Sequence, residues 1–207
     1  TGCAWRNDGY GRSNGSAIAG FGAQVLTPDD LMAGRIPSGH VVVFDDDSFY
    51  IGSSLAELIV GAGGTVTIVT PDDAVASWST NTLDFRHIQK RLYALGVKQL
   101  TSHNITELRP GSVRLEHVWS GAKSELVCDA VVSVTARVPN DALMSELESR
   151  NTEREAAGVR SVECIGDALA PGLIAHAVYS GHRYAQLFDE GAVGDVPFRR
   201  HLPVAMP

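Results

Sequence analysis

HVVVFDDDSFYIGSSLAELIVGAGGTVTIVT, residues 40–70, is the stretch whose reading decides the fold. Val41 to Phe44 is a continuous apolar run rich in β-branched residues, the signature of a parallel strand buried on both faces. Ile51, Leu55, Leu58, Ile59 and Ala62 then recur at helical spacing, and Gly63 and Gly64 stop that helix. Thr65 to Val69 is a second β-branched run. The order strand, turn, helix, turn, strand predicts a βαβ unit.

In dinucleotide-binding βαβ units the first turn is glycine-rich, so that bare backbone meets a pyrophosphate at the helix N-terminus. Here the turn carries Asp45, Asp46 and Asp47, followed by Ser48, Phe49 and Tyr50. One carboxylate about 5 Å from a phosphate charge costs roughly 3 kcal/mol at an effective dielectric of about 20. The second strand runs into Thr70 and Pro71, without the acidic residue that would accept a ribose hydroxyl there. The residues therefore predict a dinucleotide frame that no longer takes NAD(P)H. An ordinary α/β crossover that never held a dinucleotide fits the same residues. The three acids are expected to form a solvated turn, although hard oxygens of this kind also suit Mg²⁺ or Ca²⁺.

Upstream, residues 5–24 are rich in Gly, Asn and Ser and predict an irregular surface connection. Thr27, Pro28, Asp29 and Asp30 are helix-start residues: an N-cap hydroxyl, a proline in the first turn, and acids where the helix dipole favours them. Residues 35–39 read as a hinge. Downstream, a helix is expected from Thr82 to Leu95, a third parallel strand over Val97 to Leu100, and an antiparallel meander over 104–108, 113–119 and 124–128. A buried strand over Ala130 to Thr135 follows, then a brief helix over Ala142 to Leu147 and a charged, mobile segment over 149–158. A strand over Val162 to Asp167 leads into a helix from near Pro171 to near Gly191, and the tail from Val196 is expected to dock as a strap. These boundaries give three parts: residues 1–37, 38–128 and 129–207.

The chain has 207 residues, 44% of them hydrophobic, enough for a sizeable core. Its net charge of −7, with no basic cluster beyond Arg199 and Arg200, argues against nucleic acid or acidic lipid as the main partner. No apolar run reaches the ~18 residues of a membrane span. Cys3, Cys128 and Cys164 are far apart and odd in number, as in a reduced, cytoplasmic compartment. They form no C-x-x-C. The seven histidines show no metal pair by spacing, and no metal site is expected. Thr1 is not a methionine, and residues 1–5 read as a strand end in a longer polypeptide.

Four stretches together carry a resemblance: Thr1 to Trp5; the glycine-poor turn from Asp45 to Gly52 with Ser53 to Glu57; the run from Asp129 to Asn140; and Ile165 to Ala168 leading to Gly181, His182 and Arg183. The chain resembles the C-terminal region of the trimethylamine, dimethylamine and histamine dehydrogenases, old-yellow-enzyme-related iron–sulfur flavoproteins. The resemblance implies a Rossmann-like, three-layer α/β fold of the FAD/NAD(P)-binding type. One domain (38–128) is inserted into another (1–37 and 129–207) that lacks its first βαβ unit. It further implies covalent FMN and a 4Fe-4S cluster in an N-terminal barrel outside this chain, and an electron-transfer flavoprotein as partner. An ADP or FAD-type nucleotide is then expected against Thr1, Gly2, Gly166 and Asp167. No catalytic residue is expected in this segment.

Read without the family, Gly166 and Asp167 lie at the C-terminal end of an expected strand, where ligands bind in open α/β sheets; a helix N-cap role for Asp167 fits equally well. Two other functions stay open. One is an NAD(P)H-dependent flavin oxidoreductase of the dienoyl-CoA reductase type, against which the acidic turn speaks. The other is a non-catalytic docking module for an electron-transfer partner. A split fold also leaves a strand edge uncovered, which predicts self-association into a homo-oligomer.

Overall fold

The computed structural model describes residues 2–159 and 161–188. They divide into two compact units, one of residues 4–138 and one of the described residues on either side, 2–3 and 139–188. Two short paired strands, β1 (Cys3–Trp5) and β9 (Arg137–Pro139), carry the chain from one unit to the other.

Residues 4–138 form a mixed α/β unit. The short helix α1 (Pro28–Met32) starts as expected: Thr27 accepts from the Asp30 N–H, and Asp30 accepts from the Thr27 N–H at 2.9 Å. The chain then makes β2 (His40–Asp45), α2 (Ile51–Gly61), β3 (Thr65–Val69), α3 (Phe85–Ala94) and β4 (Lys98–Leu100). An antiparallel meander follows, β5 (His103–Arg109), β6 (Ser112–His117) and β7 (Lys123–Val127). The chain returns as β8 (Ala130–Val134), so the parallel sheet has the order β4-β3-β2-β8.

Side-chain alternation explains why the Val41 to Phe44 run is apolar throughout. Val41 and Val43 pack with Leu55, Ala56 and Ile59 of α2 and Leu92 of α3. Val42 and Phe44 point the other way, into Ile105, Val113 and Leu115 of the meander. The central strand thus sits between two apolar layers and has no polar face. β8 is an edge strand whose open side is covered at one point, where Leu26 exchanges backbone hydrogen bonds with Val131 and Ser133 at 3.0 and 2.8 Å.

Several expectations need correction. The connection over 5–24 is irregular, but it is not only surface: Ile18 is buried in the meander core and Ala19 bridges to Glu107. The buried face of α2 is Leu55, Ala56 and Ile59, while Ile51 and Leu58 are exposed. The helix expected from Thr82 starts at Phe85, because Leu83 adopts a left-handed φ of 66° after a 3₁₀ turn over Ser77–Thr82. The second of the expected meander runs, 113–119, ends as a strand at His117, and Trp119 lies at the hairpin tip.

The second unit contains α4 (Ala142–Ser149), α5 (Asn151–Ala156), a 3₁₀ turn at Gly166–Ala168, and α6 (Ile174–Leu187). The segment expected to be mobile contains α5, laced by Arg150 to Glu146 (3.2 Å) and Glu153 (2.5 Å). Residues 162–165 form no strand. Ile165 is extended, at φ −134° and ψ 161°, but no ladder partner exists for it among the described residues, and a strand is a property of two segments. None of the described residues 139–188 is buried. The expected strap from Val196 lies outside the described residues. No described helix is long and apolar enough to cross a membrane.

Candidate functional site

The C-terminal end of β2, where an α/β sheet offers its ligand crevice, is filled by its own acids. Asp45 is 0% exposed. Its Oδ1 accepts from the backbone N–H groups of Asp47 (3.1 Å) and Ser48 (2.9 Å), the latter in a left-handed φ of 62°. Its Oδ2 has no hydrogen-bond partner and stands against Gly52 in the first turn of α2. A Cβ at Gly52 would lie 2.5 Å from that oxygen, so the carboxyl group itself is reason enough for glycine there. Burial pushes the Asp45 acid up to about 7; the two N–H donors oppose the shift, and the Asp47 and Asp46 charges add to it.

Asp46 is 3% exposed. It accepts from the Ser13 N–H (2.8 Å) and hydroxyl (2.7 Å), with the Arg12 guanidinium 3.5 Å away. Burial also raises the Asp47 acid, and Arg137 at 4.0 Å works against it. The turn expected to be solvated is therefore buried, because Arg12 and Ser13, from a loop more than thirty positions earlier, close over it.

The same loop is tied to the segment after β3. Arg12 reaches Asp72 at 2.6 Å and the Ser48 hydroxyl at 3.2 Å, and Asp72 also accepts from Ser48 (2.6 Å) and Ser77 (2.8 Å). Burial works to raise the Asp72 acid, but these three donors outweigh it and hold the group below the ordinary carboxylate range. The Trp78 N–H donates to the Ser48 carbonyl at 3.1 Å, and the Phe49 and Trp78 rings stack 5.7 Å apart. Tyr50 donates to Asp84 at 2.6 Å. Arg12, Ser13, Asp72, Val118 and Trp119 line a cleft of about 420 Å³ beside this network. Sequence reasoning missed Arg12 and Asp72; the available signal was weak, one of two arginines in a Gly- and Asn-rich loop and an acid in the turn after β3.

In the other unit the structure brings Asp167 to Cys3: the thiol Sγ lies 3.6 Å from Oδ2, while Oδ1 accepts from the Gly172 N–H at 3.0 Å. Gly166, at φ +60°, is in the left-handed region that favours glycine, and its N–H donates to Ser180 at 3.0 Å. Gly2 accepts from the Asn140 N–H at 3.0 Å; Thr1 lies outside the described residues. Asp167 does not take the N-cap position of α6, which Leu173 occupies. Among the described residues no group of three or more His, Cys, Asp or Glu side chains is arranged to hold a metal ion.

A family model described as OYE-like second alpha/beta domain matches residues 26–141. The chain is 31% identical to dimethylamine dehydrogenase from a Hyphomicrobium species, over 97% of this chain and 30% of that protein. Histamine dehydrogenase from Rhizobium sp. 4-9 superposes with a TM-score of 0.93 at 39% identity, covering 100% of this chain and 33% of the other. The 6-hydroxypseudooxynicotine amine oxidase from Pseudomonas geniculata N1 superposes with a TM-score of 0.83 at 36% identity, over 88% of this chain and 27% of its own. The chain spans about a third or less of the length of these relatives.

Proposed function

The chain belongs to the family of the OYE-like second alpha/beta domain, and from that membership we propose that it is the C-terminal nucleotide-fold portion of an amine dehydrogenase-like iron–sulfur flavoprotein, with a structural and not a catalytic role. In this reading residues 38–128 are an inserted NAD(P)-type domain, and 1–37 with 129–207 close a Rossmann-like fold of the FAD/ADP type. FMN and the 4Fe-4S cluster belong to an N-terminal barrel elsewhere in the same polypeptide, and supply the redox chemistry there.

One observation carries the structural role. The turn N–H groups of Asp47 and Ser48, which a glycine-rich turn would leave for a phosphate, are spent on Asp45. The Asp45 carboxyl fills the space before α2, and the residues there do not fit NADH or NADPH. The other unit fits a ribose better. Among the described residues each Asp167 oxygen accepts one hydrogen bond, and a carboxylate has about four lone-pair sites, so acceptor capacity remains there for sugar hydroxyls. Thr1, Gly2, Gly166 and Asp167 are the residues we assign to an ADP-type nucleotide, held as a structural element.

Isothermal titration of the full chain with NADH, NADPH and ADP tests this reading. The expected result is no saturable NADH or NADPH binding. Micromolar NADPH binding would overturn the proposal and favour an NAD(P)H-dependent flavin oxidoreductase instead. A docking role is favoured separately by Leu83, an 85% exposed apolar residue held at a left-handed φ of 66° at the end of the 3₁₀ turn that also carries half-exposed Trp78. Binding of an electron-transfer flavoprotein that weakens on Leu83→Gly would support that second role; unchanged binding would remove it.

A further inference from the structure

The β5–β6 hairpin places His103 directly opposite His117 in the antiparallel register, with ring centroids 5.0 Å apart and planes at 82°. We propose that this cross-strand pair is a chelating site for a borderline divalent cation of the Zn²⁺, Ni²⁺ or Cu²⁺ class. The argument is independent of the nucleotide reading.

The partner at each Nδ1 decides which nitrogen a ring offers to an ion. His103 Nδ1 lies 2.6 Å from the Thr101 carbonyl oxygen. A carbonyl only accepts, so Nδ1 carries the proton and Nε2 presents a lone pair. A backbone carbonyl on the far nitrogen is the usual partner of a metal-binding imidazole. His117 Nδ1 faces Ser120, whose N–H is at 3.2 Å and hydroxyl at 3.0 Å. His117 Nδ1 accepts from that N–H, so at rest the ring proton is on Nε2. On metal capture it leaves Nε2 and one returns from solvent at Nδ1, which then donates to Ser120 Oγ while the exposed Ser120 N–H exchanges its acceptor for water, so that no net proton is released. Neither Nε2 has a hydrogen-bond partner among the described residues.

The spacing also fits. An ion about 2.0–2.1 Å from each Nε2 sits about 3.2 Å from each ring centroid, so a tetrahedral ion shared by two imidazoles sets the centroids about 5.2 Å apart. The observed separation is 5.0 Å. The backbone holds the pair in place: His103 N–H donates to Thr70 (3.0 Å), His117 N–H to Ala122 (2.9 Å), and Val118 N–H to Ser102 (2.8 Å). Buried Ile105 and Leu115 are also cross-strand partners in the same ladder. With two nitrogen ligands the remaining positions go to water, giving an exchangeable site selective against Mg²⁺ and Ca²⁺, which prefer oxygen.

The test is isothermal titration of the full chain with ZnCl₂ and NiCl₂, with MgCl₂ as control, on the wild type, His103→Gln, His117→Gln and a control carrying both His176→Gln and His182→Gln. One Zn²⁺ should bind per chain, at least tenfold more weakly in either hairpin variant and unchanged in the control. Absence of saturable Zn²⁺ binding, or equal binding in the hairpin variants, overturns the site. Should a hairpin variant fail to fold, proton NMR of the wild type decides: two histidine Cε1–H signals should shift together on adding Zn²⁺, and a shift of one or none would refute the pair.

Discussion

Asp45→Asn should remove a pH dependence that the buried acid imposes on folding. The unfolded chain titrates Asp45 at the ordinary value of 3.8, the folded chain at about 7. Between those values the native state holds a proton that the unfolded state has lost, so stability is fully present below 3.8 and is lost as pH rises through 7. At about 1.4 kcal/mol per pH unit the whole window amounts to about 4 kcal/mol, of which roughly 2–3 kcal/mol falls between pH 5 and pH 8. Asparagine stays neutral throughout, and its Oδ1 can still accept from Asp47 and Ser48. Asp47, also raised by burial, acts in the same sense, and Asp72, Asp8 and Asp30, all lowered, act in the opposite one. The difference between variant and wild type therefore isolates Asp45. Urea unfolding followed by tryptophan fluorescence at fixed ionic strength should show the variant gaining roughly 2–3 kcal/mol relative to wild type from pH 5 to pH 8. A gap that stays constant across that range would refute the assignment of a neutral carboxylic acid to this turn.

Gly52→Ala should cost about 1–3 kcal/mol in the same unfolding assay, because the added methyl meets the Asp45 carboxyl, and Asp45→Ala should recover part of that loss in the double variant. Arg12→Ala leaves buried Asp46 and half-buried Asp72 without their cation and should destabilise by about 1–3 kcal/mol; a change under about 0.5 kcal/mol would mean that the serine donors suffice. Leu83→Gly should raise stability by about 1 kcal/mol by relieving the left-handed backbone, read as an increased urea midpoint with unchanged slope. Amide hydrogen exchange should protect β2 and β3 most strongly and leave α4 to α6 exchanging early; equal protection across both units would contradict the absence of buried residues among those described in 139–188.

The parts of the fold that were legible are those whose cause is local. The apolar run from Val41 to Phe44 could only be a strand covered on both sides, and Thr27 with Asp30 could only open a helix. The burial of the acidic turn was not legible, because the groups that permit it, Arg12 and Ser13, come from a loop with no periodic signal. The same holds for residues 162–165: their β-branched composition is real, but a strand exists only where a second segment offers its own donors and acceptors. His103 and His117 escaped helical spacing arguments because antiparallel register, not sequence distance, makes them neighbours. Of the nucleotide-site residues, Asp167 and Gly166 were readable as an acid and a glycine before a helix, while the thiol of Cys3 beside Asp167 was not.

The two units stand in opposite energetic positions, and this bears on how the family can retain such a segment. In residues 4–138 the sheet edge that a ligand would complete is already complete: its turn donors face Asp45, its acids face Arg12, and Phe49 stacks on Trp78. A dinucleotide phosphate placed at this turn would have to break the buried hydrogen bonds to Asp45. In residues 139–188 the reverse holds. Ile174, Val178 and Tyr179 of α6 are exposed, and a helix of 14 residues is marginal on its own propensity. Among the described residues burial therefore contributes little to that unit, and the relatives, about three times as long, contain chain that could cover it.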